Sequence, residues 1–274
     1  MTRNLGWALA AAVSLAGIGA ASAADMAVKA RPLPPPVYSW TGCYIGLSAG
    51  GKGVRIDETL RTDGFGVVIP PVAVDLGRRE AETWIAGGQV GCNYQAGNWV
   101  FGIEGDVHAQ RWQQSDVLFG LLAPPVGNGS VFDLSSDWQA SARGRIGYAM
   151  NRTLFYGTAG AAWTQVRSNV SWIPNVVGPG PALLFSNTQT LTGVTVGAGV
   201  EHAVTDNFTL GLEGRYTWYE RERFLVGSVP IGAVVGAAVV IVNGNAYRDI
   251  QIETGEIMVK ANWKFGPTPV VAKY

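Results

Sequence analysis

Between Phe208 and Trp218, apolar and polar side chains alternate. Phe208, Leu210, Leu212, Tyr216 and Trp218 fall on even positions, with Thr209, Glu213, Arg215 and Thr217 between them. Successive side chains of a strand point to opposite faces, so this is a strand with one greasy, aromatic face and one charged face. A helix is disfavoured, because Gly211 and Gly214 would each cost about 1 kcal/mol in its interior. The same period recurs over eight stretches, roughly 40–54, 79–95, 98–112, 134–149, 153–168, 188–203, 208–221 and 249–265. Each exceeds the roughly 9–11 residues that a tilted strand needs to cross a bilayer.

The connections alternate in length. Three are tight: Ala96-Gly97, Met150-Asn151-Arg152 and Val204-Thr205-Asp206-Asn207. Gly, Asn and Asp suit such turns because they tolerate positive φ. Four are long, near 55–78, 113–133, 169–187 and 222–248. Short turns at one end and long loops at the other are the layout of an outer-membrane barrel, and a soluble β-sandwich shows no such rule.

In a barrel the greasy face meets lipid, and aromatics gather at the two interfaces. Tyr94, Trp99, Phe101, Tyr148, Phe155, Tyr156, Phe208, Trp263 and Phe265 lie near the turn end, and Trp84, Trp112, Trp138, Trp163, Trp218 and Tyr219 near the loop end. Ile103, Ala140, Ala142, Val194, Val196 and Leu212 supply small or aliphatic positions between them. Only 15% of residues are charged, below the roughly 25% of soluble proteins, and formal net charge is zero. Nothing in that balance points to nucleic acid. The phase is ambiguous over 154–164, and Ile250 and Ile252 are out of step with Ile257, Val259 and Ala261, which predicts a bulge near Thr254-Gly255.

The opposite face then lines the lumen. It carries Glu104, Asp106 and His108 on the third stretch and Arg143 and Arg145 on its hairpin partner. Glu201, Glu213, Arg215, Lys260 and Lys264 share that parity. An eight-stranded barrel is just wide enough for side chains to fill it, so these acids and bases are expected to pair, since an unpaired buried charge is costly.

Residues 1–23 read as a cleaved signal peptide: Arg3, the apolar LGWALAAAVSLAGIGA and an Ala21-Ser22-Ala23 site. Residues 24–39 form a Pro-rich periplasmic linker, 40–265 the barrel, and 266–274 a tail. The expected architecture is an all-β, eight-stranded antiparallel transmembrane barrel located in the outer membrane. The apolar run IGAVVGAAVVIV at 231–242 is too short to span a bilayer as a helix.

Read together, WTGCYIGLSAGG at 40–51, GGQVGCNYQ at 87–95, GIEGD at 102–106, RGRIGYA at 143–149, FYGTAGAAW at 155–163, GVTVGAGVEHAVTDN at 193–207, EGRYTW at 213–218 and the terminal IMVKANWKFGPTPVVAKY carry a resemblance. They resemble the porin-like outer-membrane β-barrels of α-proteobacteria, the group of the 25 and 31 kDa Brucella surface proteins. The resemblance spans essentially the whole mature chain. It implies an eight-stranded outer-membrane barrel with a role in envelope integrity and host contact. A narrow porin for small solutes and a haem- or host-ligand-binding surface protein are the alternatives it leaves. Barrels of this kind end on an aromatic residue read by the barrel-assembly machinery. Here the final strand ends at Phe265, nine residues before the terminus, so Trp263 and Phe265 are the expected insertion signal. The expected partners are outer-membrane lipid and lipopolysaccharide, that machinery, and a host surface or a second copy met through the loops.

Cys43 and Cys92 sit near the turn end of neighbouring stretches. A disulfide and a pair of lipid-facing thiols both fit, and two cysteines without clustered histidines do not make a zinc site. His108, with Ser141 on the facing stretch and Asp106 nearby, is the sole candidate for serine catalysis, and nothing marks the serine as activated. His202 is the one further histidine for haem ligation. GTAGAAW and GVTVGAG lack the strand-to-helix setting of a phosphate loop, so no cofactor is expected. Each long connection has an apolar core, at 67–74, 121–132, 173–185 and 231–242. These either bind partners or extend the barrel as hairpins that pack into a cap.

Overall fold

The computed structural model describes residues 38–62, 72–119, 129–173, 184–235 and 238–265. They form one antiparallel sheet of nine elements: β1 (Gly42–Thr62), β2 (Val72–Ala96), β3 (Trp99–Phe119), β4 (Gly129–Met150), β5 (Thr153–Ile173), β6 (Leu184–Ala203), β7 (Phe208–Tyr219), β8 (Glu222–Val235) and β9 (Ala238–Phe265). β9 pairs with β7 and returns to β1, from Cys43 opposite Phe265 to Thr62 opposite Ala246, so the sheet closes on itself. β7 and β8 are one barrel strand interrupted at Glu220 and Arg221, so the wall has the eight expected strands. Closure leaves no unpaired backbone facing lipid, the condition for strands to cross a bilayer. Gly97 and Asn151 take positive φ (62° and 56°) in the two tightest turns, as their residue types suit.

The outer face has the banding of a membrane protein. Tyr94, Trp99, Tyr148, Phe155, Trp263 and Phe265 are exposed at the turn end, and Trp84 and Trp218 toward the opposite end of the strands. Leu47, Ile103, Val107, Val194, Ile257 and Val259 fill the band between. Above it the outer face turns polar, with ion pairs Arg55–Glu80 and Arg78–Asp57. The Arg78 hydrogen bond holds the Asp57 carboxyl below its ordinary range.

Three expectations are corrected. The long connections are mostly strand: β1 runs on to Thr62, β3 to Phe119, β5 to Ile173, and the segment after Arg221 is the β8–β9 hairpin. Period-two alternation continues there, with Val54, Ile56, Glu58 and Leu60 buried and Arg55 and Asp57 outward, but the outward residues have become polar. The parts of the apolar tips at 63–71, 120–128, 174–183 and 236–237 lie outside the described residues, as do the signal-peptide region, the linker before residue 38 and the tail. There is no bulge at Thr254-Gly255, since β9 keeps register with β1 throughout. Ile250 and Ile252 point inward because the lumen itself is apolar at their height. Trp112, Tyr156 and Tyr219 leave the girdles and are buried in the lumen. Trp112 continues the inward parity of His108 and Gln110 along β3, at a height where the lumen is apolar. The ambiguous stretch resolves with Leu154, Tyr156, Thr158, Ala162 and Thr164 inward.

Beyond the apolar band the wall divides. β2 pairs with β3 only from Ile85 to Ala96, and β6 with β7 only from Gly193 to Ala203. Above those points β8–β9–β1–β2 and β3–β4–β5–β6 are two separate four-stranded sheets. Val54, Ile56, Phe224, Ile250 and Ile252 from one face Trp112, Leu134, Val166 and Leu191 from the other in one buried cluster. Among these side chains Arg248 pairs with Glu58, both buried. At the outer edge, Asp249 takes Arg223 and Arg61, and the Arg223 hydrogen bond depresses its carboxyl.

Inward glycines make room for rings. A Cβ on Gly91 would fall 2.4 Å from the Tyr44 hydroxyl and 2.8 Å from the Ile103 carbonyl oxygen, whereas one on the lipid-facing Gly214 meets nothing within 4 Å. Gly91→Val should lower stability by about 1–3 kcal/mol through overpacking, while Gly214→Ala should stay within about 0.5 kcal/mol. Urea unfolding of refolded protein in detergent, followed by tryptophan fluorescence, checks both.

The filled lumen as candidate functional site

The lumen is built in three layers. At the turn end Tyr38, Trp40, Val100, Ala149, Leu154, Tyr156 and Ala203 form an apolar plug. Tyr38 and Trp40 stack edge to face at 5.1 Å, so packing into the barrel includes two residues before the expected barrel boundary. Burial pushes the Tyr38 hydroxyl up to about 12. Lys264, expected among the lumen charges, sits here instead, 4.2 Å over the Tyr38 ring with its ammonium donating to the Ser39 carbonyl.

The middle layer is ionic. β3 presents Glu104, Asp106 and His108, and β4 presents Arg143 and Arg145 directly across from Glu104 and Gly102. Arg143 touches three carboxylates: Glu104 at 2.5 Å, Asp106 at 2.9 Å, and Glu213. Lys260 bridges Glu104 (2.6 Å) and Glu213 (2.9 Å). Arg145 pairs with Glu201 and lies 3.7 Å over the Tyr156 ring. Arg215 joins Asp106 (3.2 Å) to Glu256 (2.7 Å), and Lys52 lies 3.2 Å from Glu256. Nine of the ten charged or ionisable lumen residues expected from the sequence (Glu104, Asp106, His108, Arg143, Arg145, Glu201, Glu213, Arg215 and Lys260) are brought into this one cluster, Lys264 being the exception. Lys52, Glu256 and Tyr44 were missed. Tyr44 donates to Glu104 at 2.5 Å. Their signal was available, since Lys52 shares the parity of Tyr44 and Ser48, and Glu256 that of Lys260. With them, five carboxylates (Glu104, Asp106, Glu201, Glu213, Glu256) meet five cations (Lys52, Arg143, Arg145, Arg215, Lys260), and each is ion-paired.

The catalytic grouping is rearranged. Ser141 lies opposite Asp106, to which it donates at 2.5 Å, and Gln139 lies opposite His108. The serine at His108 is Ser48, with Oγ 2.7 Å from Nε2, while Nδ1 is 3.0 Å from Asp106. The distances suit a triad, but the polarity does not. Glu201 accepts from Asn262 Nδ2 at 2.9 Å, Asn262 Oδ1 accepts from Gln89 Nε2 at 2.8 Å, and Gln89 Oε1 accepts the Ser48 hydroxyl at 2.9 Å. An ionised carboxylate only accepts, so it orients both amides, and Ser48 gives its proton to Gln89 rather than to the imidazole. A nucleophilic serine needs the reverse. His202 is on the exposed outer face, 2.9 Å from Thr153 Oγ1. The third layer is the apolar cluster between the two upper sheets.

Cys43 and Cys92 are directly opposite in the β1–β2 register and form a disulfide on the outer face at the turn end. Trp263 and Phe265 point outward at the same level, and Phe265 lies opposite Cys43 across the closing seam.

Two stability predictions follow from this geometry. Arg143→Met leaves three buried carboxylates short of a partner and should cost about 3–5 kcal/mol in denaturant unfolding. Removing the disulfide with Cys43→Ala and Cys92→Ala, 49 residues apart, should cost up to about 4 kcal/mol by the loop-entropy relation.

Residues 9–265 match the family model described as "Outer membrane protein beta-barrel domain". The chain is 34% identical over 191 residues to a 22 kDa outer membrane protein of Rhizobium leguminosarum, covering 69% of each chain. It is 33% identical over 204 residues to a 31 kDa outer-membrane immunogenic protein of Brucella melitensis, covering 72% of this chain and 80% of the other. Among solved structures, Ail, the attachment invasion locus protein of Yersinia pestis, aligns at 14% identity with TM-score 0.32, covering 82% of this chain and 99% of that one.

Proposed function

This chain belongs to the outer membrane protein β-barrel domain family, and from that premise we propose that it is a closed, structural barrel whose work is done outside the cell. It sits in the outer membrane, and its strands stand well above the apolar band. The observation that carries the proposal is the filled lumen. Glu104, Arg143 and Arg215, the residues a pore would use, spend their charges on one another. They are 3–5% exposed and lie between apolar plugs at both ends. Ions cross a pore when its lining leaves room for their hydration, and a lining that neutralises itself side chain to side chain leaves none.

The same arrangement speaks against the alternatives. The narrow-pore reading needs a water path through the Trp40 and Trp112 layers. A catalytic reading needs an activated hydroxyl, and Ser48 gives its proton to Gln89 rather than to His108. The remaining roles are an anchor in the envelope and a platform above it. In that setting Trp263 and Phe265, outward on the last strand, serve as the assembly signal. The charged outer belt of Arg55, Arg78, Glu80 and Asp57 lies at the height of lipopolysaccharide headgroups.

Reconstitution into planar lipid bilayers tests the proposal. The refolded protein, with insertion shown by its heat-dependent gel mobility, should give no steady conductance steps. Ohmic steps that change with Arg143→Ala or Glu104→Ala would establish the pore instead.

A further inference from the structure

At the turn end the wall is stitched in pairs. Tight turns join β2 to β3, β4 to β5 and β6 to β7. β1 enters the sheet at that end, at Gly42, and β9 leaves it there, at Phe265, so these two strands have no turn there. They are also the two strands whose meeting closes the barrel, and Cys43 opposite Phe265 is the outermost pair of their seam. In any sheet not yet closed along this seam, β1 is a bare edge. Lipid offers the N–H and C=O groups of such an edge no partner.

The two turnless ends are held differently. At the end of β9, Lys264 N–H donates to the Asn207 carbonyl at 2.7 Å, and Asn207 Nδ2 donates to the Lys264 carbonyl at 3.1 Å. At the start of β1 the tie is covalent. Cys43 and Cys92 are directly opposite in the β1–β2 register and form a disulfide. The bond stands where a turn would stand, since the chain otherwise joins β1 to the sheet only through its far end. The two cysteines are 49 residues apart, and bringing them together costs chain entropy that a bond made in the unfolded chain removes in advance.

The bond also settles register. A slip of one residue would turn the side-chain set of β1 to the wrong face, whereas a slip of two keeps the alternation intact. A slip of two would move Cys43 by roughly 7 Å along β2, beyond the reach of a disulfide. The tie excludes that slip before any ion pair in the lumen exists. Both cysteines face outward at the turn end, beside the exposed Tyr94 and Phe265. Once the barrel is inserted, that face meets lipid, so exchange with soluble thiols belongs to the chain before insertion.

We propose that the Cys43–Cys92 bond is a redox-dependent assembly clamp, made in the exported chain before the barrel closes, which sets the register in which β1 receives β9. The route to the outer membrane crosses an oxidising compartment. The oxidant is a protein disulfide of the thiol-oxidase class. One cysteine thiolate attacks that disulfide and releases one donor thiol, and the second thiolate then breaks the mixed disulfide and releases the other. The two cysteines lose two electrons and two protons, and the donor becomes a dithiol.

The test is refolding of the full chain from urea into phospholipid vesicles, followed by heat-dependent gel mobility. Oxidised chain should fold at least fivefold faster than reduced chain, while their unfolding rates differ by less than twofold, because a tie already present in the transition state acts on the folding rate. Equal folding rates, with slower unfolding of the oxidised form, would mean that the bond acts only in the finished barrel, and would overturn the proposal. An off-register clamp separates register from simple tethering. Cys92→Ala with Tyr94→Cys gives Cys43 a partner two positions along β2 on the same face. Oxidised in urea, this variant should not reach the heat-modifiable form, and reduction should restore folding at the rate of the reduced native chain. Folding of the oxidised variant as fast as the oxidised native chain overturns the proposal.

Discussion

Everything in this molecule depends on closing a sheet around a space narrow enough for side chains to fill. Lipid offers no hydrogen-bond partners, so the wall must close, and β9 meets β1 along its length to do so. Closure at eight strands then fixes the interior at a width that side chains fill. Polar residues placed inside have no solvent to turn to. The ionic layer is the result: ten charged groups from β1, β3, β4, β6, β7 and β9, paired both between neighbouring strands and across the barrel. Asp106–Arg215 and Lys260–Glu104 each join strands that are not neighbours in the sheet.

Those cross-barrel pairs give the network a role beyond neutrality. A register slip of one residue would turn a strand's whole charged face to lipid. A slip of two would keep the face but move each partner by roughly 7 Å, beyond ion-pair reach. The charges therefore select one closure among several that backbone pairing alone would allow. The glycines opposite Tyr44 and Tyr156 act with them, giving each ring a floor, so that Tyr44 reaches Glu104 and Tyr156 lies against Arg145.

The membrane part of the fold was legible because lipid enforces a strict rule, greasy outward and polar inward, that period-two alternation reports directly. Turn chemistry at Gly97 and Asn151 was legible for the same local reason. The upper half was not, because both rules change there: the outward face becomes charged and the inward face apolar. That inversion made Ile250 and Ile252 look out of phase, made 55–62 and 222–235 look like loop, and placed Trp112 and Tyr219 in a girdle. The lumen charges could be listed from parity, but their pairing could not. Ser141 sits at Asp106 and Ser48 at His108 because register and closure, neither written in any single strand, decide who meets whom. The division of the wall into two sheets depends on where β2–β3 and β6–β7 stop pairing, which carries no local signature.

The account's central claim is that the lumen is closed to solvent in the native protein. Ser141 lies at its middle, donating to Asp106, so a Ser141→Cys thiol would report on that space directly, the native cysteines being tied in a disulfide. The measurement is its modification rate by a small, charged methanethiosulfonate added to either side of bilayer-reconstituted protein. A closed lumen predicts no reaction over hours from either side, with full reaction after heat unfolding. Labelling within seconds in the folded state would contradict the account and replace the plugged barrel with a water-filled channel.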